Sequence, residues 1–307
     1  MPAATVAVRR LEPADRDELT REVDRARAAG EFRASSDAAG SFFLRSFDLD
    51  HRRVGGAFDR DELVGFISSE FKIVVVSPDR RRAGIGSALV ELAVAMERDR
   101  GRPNVILGRD RDDVVARSFL EAAKFAPHSI LWDLELPTAA AVPAPVWRVD
   151  VRARPFEAPA DVESWVAMFN AAFADHATPL QLDASFITAD LADPNLDDAD
   201  TLLLEERASG RLVGFAATAP ERHDGTVAPA GEIWTIGVLP EWQGRGLGRQ
   251  LLRWSVERLR GIGVRDITLS VNGRNEHALR LYEDEGFVRT RTRERWARPV
   301  ALPTEPR

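Results

Sequence analysis

The chain contains no cysteine, which excludes disulfides, thiolate-bound metal and a cysteine nucleophile, so any acyl transfer would run directly or through another residue type. It has one tyrosine, Tyr282, and its only lysines are Lys72 and Lys124 against a large arginine population. No apolar run is long enough to cross a bilayer, and Met1 to Arg10 lacks the apolar core of an export signal, so the expectations are no membrane partner and a cytoplasmic location. A formal charge of -7 argues against a general nucleic-acid binder, which needs a basic face to displace counterions. His51, His128, His223 and His277 are scattered without ligand spacing, and the acidic run Asp193 to Asp200 lacks a calcium-loop pattern, so no metal is expected.

At 307 residues with 44% hydrophobic and 30% charged residues, the chain has the size and composition of about two globular domains. The stretch Pro137 to Pro145 is alanine- and proline-rich and uncharged, as in an exposed, semi-stiff linker. The expected division is therefore residues 1–136, a linker at 137–147, and a second domain at 148–300.

The two halves read as copies. SPDRRRAGIG and LPEWQGRGLG align with Pro78 under Pro240, Gly84 under Gly246 and Gly86 under Gly248, a separation of 162 that also relates Glu70 to Glu232 and Phe125 to Phe287. A period of this length means duplicated domains rather than a solenoid. The second copy carries about 13 extra residues, Thr218 to Gly231, which read as a hairpin loop.

Each copy begins with a short strand (Val6 to Arg10, Val149 to Arg154), followed by a proline and an acidic helix start. Later come a strand hairpin, a Gly-rich turn, a long amphipathic helix, a strand, a helix and a final strand, a mixed α/β plan. Leu247, Leu251, Leu252, Ser255, Val256 and Leu259 fall on one helical face, and Ile85, Leu89, Val90, Ala93 and Val94 repeat that stripe.

Gln243-Gly244-Arg245-Gly246-Leu247-Gly248 follows the strand Ile233 to Val238 and leads into a helix. Glycines let the backbone approach a ligand, and the free N–H groups of the helix start attract phosphate, which together make a pyrophosphate cradle. Taken alone, such a turn is more often a matter of backbone geometry. Here it occurs twice, at Arg81 to Gly86 and at Gln243 to Gly248. No Gly-Lys-Ser/Thr follows, and the glycine spacing is not that of the dinucleotide fingerprint. The pattern resembles the acetyl-CoA signature of the GNAT superfamily, as does Asn275, Ala278, Tyr282, Gly286 and Phe287 in the order N-x-x-A-x-x-x-Y-x-x-x-G-F.

That resemblance implies two tandem GNAT folds, each a mixed, mostly antiparallel twisted sheet flanked by helices. It also implies an N-acetyltransferase that uses acetyl-CoA as cosubstrate and acts on the amine of a small molecule, as monomer or homodimer. It implies that Tyr282 is the general acid for the departing thiolate and Glu232 the base for the amine. The backbone N–H near Val238 would hold the oxyanion. Cofactor contacts are expected at Ile236, Gly237, Val238, Gln243, Gly244, Arg245, Gly246, Leu247, Gly248, Arg249 and Asn275.

In the first copy Leu120 stands for Tyr282 and Asp113 for Asn275. That copy is expected to be catalytically degenerate, with Val76, Arg81, Arg82, Gly84 and Gly86 forming a possible second CoA site. Tandem chains of this size resemble the mycothiol synthase family, whose acceptor is a cysteinyl pseudodisaccharide, and GEIWTIGV (Gly231 to Val238) is similar to that family's strand. Asn170 to His176 is also similar, but Ala177-Thr178-Pro179 departs from it, leaving Asp175 and His176 as weak acceptor-pocket candidates. A protein N-terminus, a lysine or an antibiotic amine as acceptor, and a catalytically silent acyl-CoA sensor, are the alternatives.

Overall fold

A computed structural model describes residues 6–29, 49, 53–69, 71–174, 182, 184, 197–223 and 226–302. In chain order the first half forms β1 (Ala7–Arg10), α1 (Arg16–Ala28), β2 (Gly55–Asp59), β3 (Glu62–Ser68), β4 (Ile73–Val76), α2 (Ile85–Asp99), β5 (Asn104–Asp110), α3 (Val114–Ala122) and β6 (Ala126–Leu136). The second half forms β7 (Val151–Pro155), α4 (Val162–Ala172), β8 (Thr201–Glu206), β9 (Leu212–His223), β10 (Thr226–Val238), α5 (Leu247–Gly261), β11 (Asp266–Asn272), α6 (Glu276–Asp284) and β12 (Val288–Pro299). From α2 to α3 and from α5 to α6 the element bounds differ by the 162 residues of the repeat, so the duplication read from the motifs is a duplication of structure.

Two compact units result, and each completes itself with chain from the other half. The first combines first-half residues up to Trp132 with the stretch from Arg291 onward. In it β1-β2-β3-β4 form an antiparallel sheet, and β5 pairs antiparallel with Arg293–Pro299 of β12. The second takes in Asp133–Thr290, with strand order β6-β11-β10-β9-β8-β7. The last strands of the two copies have thus changed places. Apolar alternation gives a strand a buried face without naming its neighbour, so this exchange cannot be read from the sequence.

Both long helices form where the stripes predict. Ile85, Leu89, Val90, Ala93 and Val94 of α2 are buried in the core of the first unit, with Val105, Leu107 and Trp296. Leu247, Leu251, Leu252, Ser255, Val256 and Leu259 of α5 are buried against β9 and β10 of the second. Each fully buried leucine contributes about 1.5–3 kcal/mol, which is why the helices hold to their sheets.

The first helix of each copy is anchored alike. Arg9 donates to both oxygens of Asp15 at 2.6 and 2.7 Å, while Asp15 accepts from the Glu12 N–H. Arg154 donates to both oxygens of Asp161 at 2.5 and 2.8 Å, and Asp161 accepts from the Glu157 N–H.

One expectation differs from the structure. Most of Thr218 to Gly231 is not loop: β9 and β10 pair from His223↔Thr226 through Val238↔Gly214, so the extra residues lengthen a hairpin. Arg222, opposite Asp200 at 2.6 Å, and Arg258, bound to Asp200 at 2.9 Å, tie the lengthened hairpin to α5. The stretch after Pro137 has no helix or strand and is mostly exposed, and two hydrogen bonds anchor it. Arg260 donates to the Ala140 carbonyl at 2.8 Å, and Gln250 accepts from the Val146 N–H at 2.7 Å.

Candidate functional site

The site is assembled where two parallel strands part. β10 and β11 pair from Ala230↔Asp266 only as far as Ile233↔Leu269, yet β10 runs on to Val238 and β11 to Asn272. A register shift against β9 between Ile233 and Thr235 makes Trp234 the extra residue of a bulge, which turns the outer end of β10 away from its parallel neighbour. The N–H of Leu239 donates to Val213 at 3.0 Å. By antiparallel alternation the N–H groups of Val238 and Ile236 therefore face away from β9, toward the opened wedge. Gln243 Nε2 donates to the Val238 carbonyl at 3.0 Å, so this side chain braces the strand end. Gly237 lies over Phe215, whose ring would be 2.2 Å from an added Cβ.

At the mouth of the wedge Gly246 precedes α5 with φ 81°, after Gly244 with φ 72°. An added Cβ at either would meet nothing within 4 Å, so there is open space beside the turn. The first-turn N–H groups of α5 have no acceptor within the helix, and the helix dipole adds positive potential there. Backbone donors, positive potential and open space are what a pyrophosphate requires, and the residues present fit that group.

Arg245 and Arg249 are already engaged. Arg245 donates to the Glu241 carbonyl at 2.9 Å and lies 4.5 Å from the Trp242 ring centroid, while Arg249 pairs with Glu285 at 2.5 Å and Asp284 at 2.9 Å. Asn275 caps α6, its side chain accepting from the Ala278 N–H at 3.1 Å. The first-copy Asp113 caps α3 in the same way at 2.8 Å, so this position has a structural duty in both copies.

Helix α6, which carries Tyr282, packs against the start of α5. Leu281 sits 3.7 Å from a Cβ built on Gly248, in the first turn of α5, and Glu285 holds Arg249 and Arg253 of that helix. Tyr282 is half-buried, its ring centroid 6.2 Å from that of Phe287, and burial pushes its phenol up to about 12. Glu232 lies across from Thr268 in the register. A Cβ on Gly231 would meet Leu259 and Val264 on the α5 side, so Glu232 projects to the opposite face, the one that bears α4.

Three residues on that face escaped the sequence reading. Trp234, 37% exposed, stacks on Phe169 of α4. Thr268 Oγ1 and Asn272 Nδ2 are buried with no hydrogen-bond partner among the described residues. Strand alternation from Glu232 would have pointed to Trp234; the other two depend on which strand lies beside β11.

The first copy keeps the frame without the tyrosine. Gly84 matches Gly246 in conformation, and Arg81 Nε donates to the Val76 carbonyl at 3.0 Å as Gln243 does to Val238. Gly86 lies under Phe119, 3.0 Å from an added Cβ. Leu120 is buried in the core in place of Tyr282. Arg82, with φ 63°, and Lys124, with φ 64°, hold left-handed positions that are glycine in the second copy. His51, Glu70, Asp175 and His176 lie outside the described residues. Among the described residues no group of His, Asp and Glu could hold a metal, and no helix is long and apolar enough to cross a membrane.

Comparison with known proteins agrees with this geometry. The model of the acetyltransferase (GNAT) family matches the chain twice, at residues 17–125 and 163–287. A mycothiol acetyltransferase of Kytococcus sedentarius is 32% identical over 262 residues, covering 82% of this chain and 85% of that protein. One from Thermobispora bispora is 33% identical over 238 residues, covering 76% and 79%. Among solved structures, a GCN5-related N-acetyltransferase from Sphaerobacter thermophilus shares the fold with a TM-score of 0.67 at 22% identity over 99% of this chain and 98% of that one. A tandem GNAT protein from the clavulanic acid biosynthesis pathway has a TM-score of 0.67 at 16% identity, covering 98% and 100%.

Proposed function

The chain belongs to the acetyltransferase (GNAT) family, and from that premise we propose that its second half, residues 148–300, holds one working site that acetylates the primary amine of a small molecule. Acetyl-CoA supplies the acetyl group as an activated thioester. The observation that carries the reading is the wedge between β10 and β11, which leads from the open glycine cradle before α5 to inward-facing backbone N–H groups at Ile236 and Val238.

Gly244, Gly246 and the N–H groups of Leu247, Gly248 and Arg249 receive the pyrophosphate. The Val238 N–H polarises the carbonyl under attack. Glu232, on the face bearing α4, takes the proton from the attacking amine, directly or through water, and Tyr282 serves the leaving sulfur. Gln243 acts by bracing Val238, and Asn275 by fixing the start of the helix that carries Tyr282.

The first half, residues 1–136, is read as catalytically degenerate, because Leu120 is core where Tyr282 is acid. Its turn at Val76, Arg81, Arg82, Gly84 and Gly86 is read as a possible second CoA site, supported by the matching conformation of Gly84 and the Arg81–Val76 hydrogen bond, and residues 137–147 are read as the linker. Relatives named mycothiol acetyltransferase span most of the chain, which favours the cysteinyl amine of a pseudodisaccharide as a more specific acceptor.

The test is amine-dependent release of free thiol from acetyl-CoA, followed for the purified chain over a panel of primary amines that includes the cysteinyl pseudodisaccharide. Turnover with at least one small amine and near-background release by Glu232→Gln are expected. Tight acetyl-CoA binding with no transfer to any amine would favour a silent acyl-CoA sensor.

A further inference from the structure

We propose that Trp234 is the residue that sets acceptor specificity, forming a flat shelf beside Glu232 on which a ring of the acceptor lies; this rests on the acetyl-transfer reading above. Three observations place the shelf. Trp234 is the bulged residue of β10, at the point where that strand leaves β11, and a bulge re-aims the side chain it carries. Its ring is two residues beyond Glu232, on the same side of the sheet, as its contacts with α4 show.

The ring is also backed and held. Phe169 stacks against it at 6.2 Å with an interplanar angle of 21°, and Trp165 stands 6.4 Å away. Behind them Trp165 meets Phe156, Phe169 and Phe215 in edge or tilted contacts, and apart from Trp234 these aromatics are buried. With α4 supporting one side, the 37% of Trp234 left exposed presents a rigid apolar surface next to the base.

The internal repeat shows that the fold does not ask for an aromatic here. The equivalent first-copy residue is Lys72, in the copy that also lacks the tyrosine acid. The aromatic shelf and the acid occur together in the second copy. A fixed indole face favours an acceptor whose amine is attached close to a ring, because ring and shelf meet without freezing a flexible chain.

The experiment compares cyclohexylmethylamine with n-heptylamine, which have equal carbon number, in the wild type, Trp234→Ala and Trp234→Phe, with acetyl-CoA affinity measured for each. The inference expects Trp234→Ala to lower kcat/KM for the ring amine about tenfold, chiefly through KM, and for the linear amine by less than about threefold. Trp234→Phe should restore most of the loss, and acetyl-CoA affinity should be unchanged in all three. Equal losses on the two amines, or no loss on the ring amine, would overturn the shelf, as would a wild type that binds acetyl-CoA and acetylates only the linear amine. A wild type that does not bind acetyl-CoA overturns the underlying transfer reading instead.

Discussion

Replacing Tyr282 with phenylalanine removes one hydroxyl from the site and leaves the ring against Phe287. Burial raises this phenol from the ordinary value near 10 to about 12. A thiol titrates near about 8.5, so Tyr282 holds its proton roughly 3–4 units more tightly than the leaving sulfur does. The hydroxyl therefore acts as a hydrogen-bond donor that strengthens as negative charge grows on sulfur, keeping its own proton while the released thiolate takes one from solvent. A hydrogen bond to a charged group contributes about 1.5–3 kcal/mol, so kcat should fall about 10- to 150-fold. Acetyl-CoA affinity should hardly change, because the interaction belongs to the transition state. Released thiol can be read with a disulfide reagent without protein background, since the chain has no cysteine. The pH dependence gives a second readout. A phenol near 12 stays protonated through pH 10, so the wild-type rate should show no alkaline fall from this group below that pH. Its folded value lies above its unfolded one, so the stability it adds is present below about pH 10 and is lost as pH rises toward 12. The phenylalanine variant should lack that alkaline loss. Unchanged kcat in a variant that binds acetyl-CoA normally would remove Tyr282 from the mechanism.

Two further predictions concern the scaffold. Lys124 closes α3 in a left-handed conformation with φ 64°, where the second copy has Gly286 at φ 94°. Lys124→Gly should raise stability by about 0.5–1 kcal/mol, the strain relieved less the entropy glycine costs, as a higher urea midpoint; a lower midpoint would contradict the internal comparison. Asp161 is held below the usual carboxylate range first by its hydrogen bonds from Arg154 and also by the Glu157 N–H. Asp161→Asn should cost about 2 kcal/mol at pH 7, and because the depressed carboxylate stabilises only above its unfolded value, the difference should close as pH falls through and below about 4. A difference independent of pH between 7 and 3 would refute this.

The repeat was legible because glycine, proline and apolar positions recur in one register, and the equal offsets of α2 and α5, of β5 and β11, and of α3 and α6 follow from it. The glycine turn before α5 was legible for the same reason, since left-handed turns leave glycines in the sequence. What could not be read was pairing: that β12 sits beside β5 and β6 beside β11 depends on contacts far apart in the chain. The lengthened β9–β10 hairpin was missed because Gly, Pro and Asp in Thr218 to Gly231 signal a turn, while ion pairs from Arg222 and Arg258 to Asp200 hold the ladder together. Arg249 illustrates the reverse. The motif offered it to phosphate, but Glu285 and Asp284, brought close by the packing of α6, neutralise it first.

The most direct test of the central claim is calorimetric titration of acetyl-CoA into the wild type and into Gly246→Trp, which fills the open side of the second-half cradle. The wild type should bind, and the folded variant should lose one site together with amine-dependent thiol release, any remaining stoichiometry belonging to the first half. Wild-type binding and turnover that survive unchanged in the folded variant would contradict it.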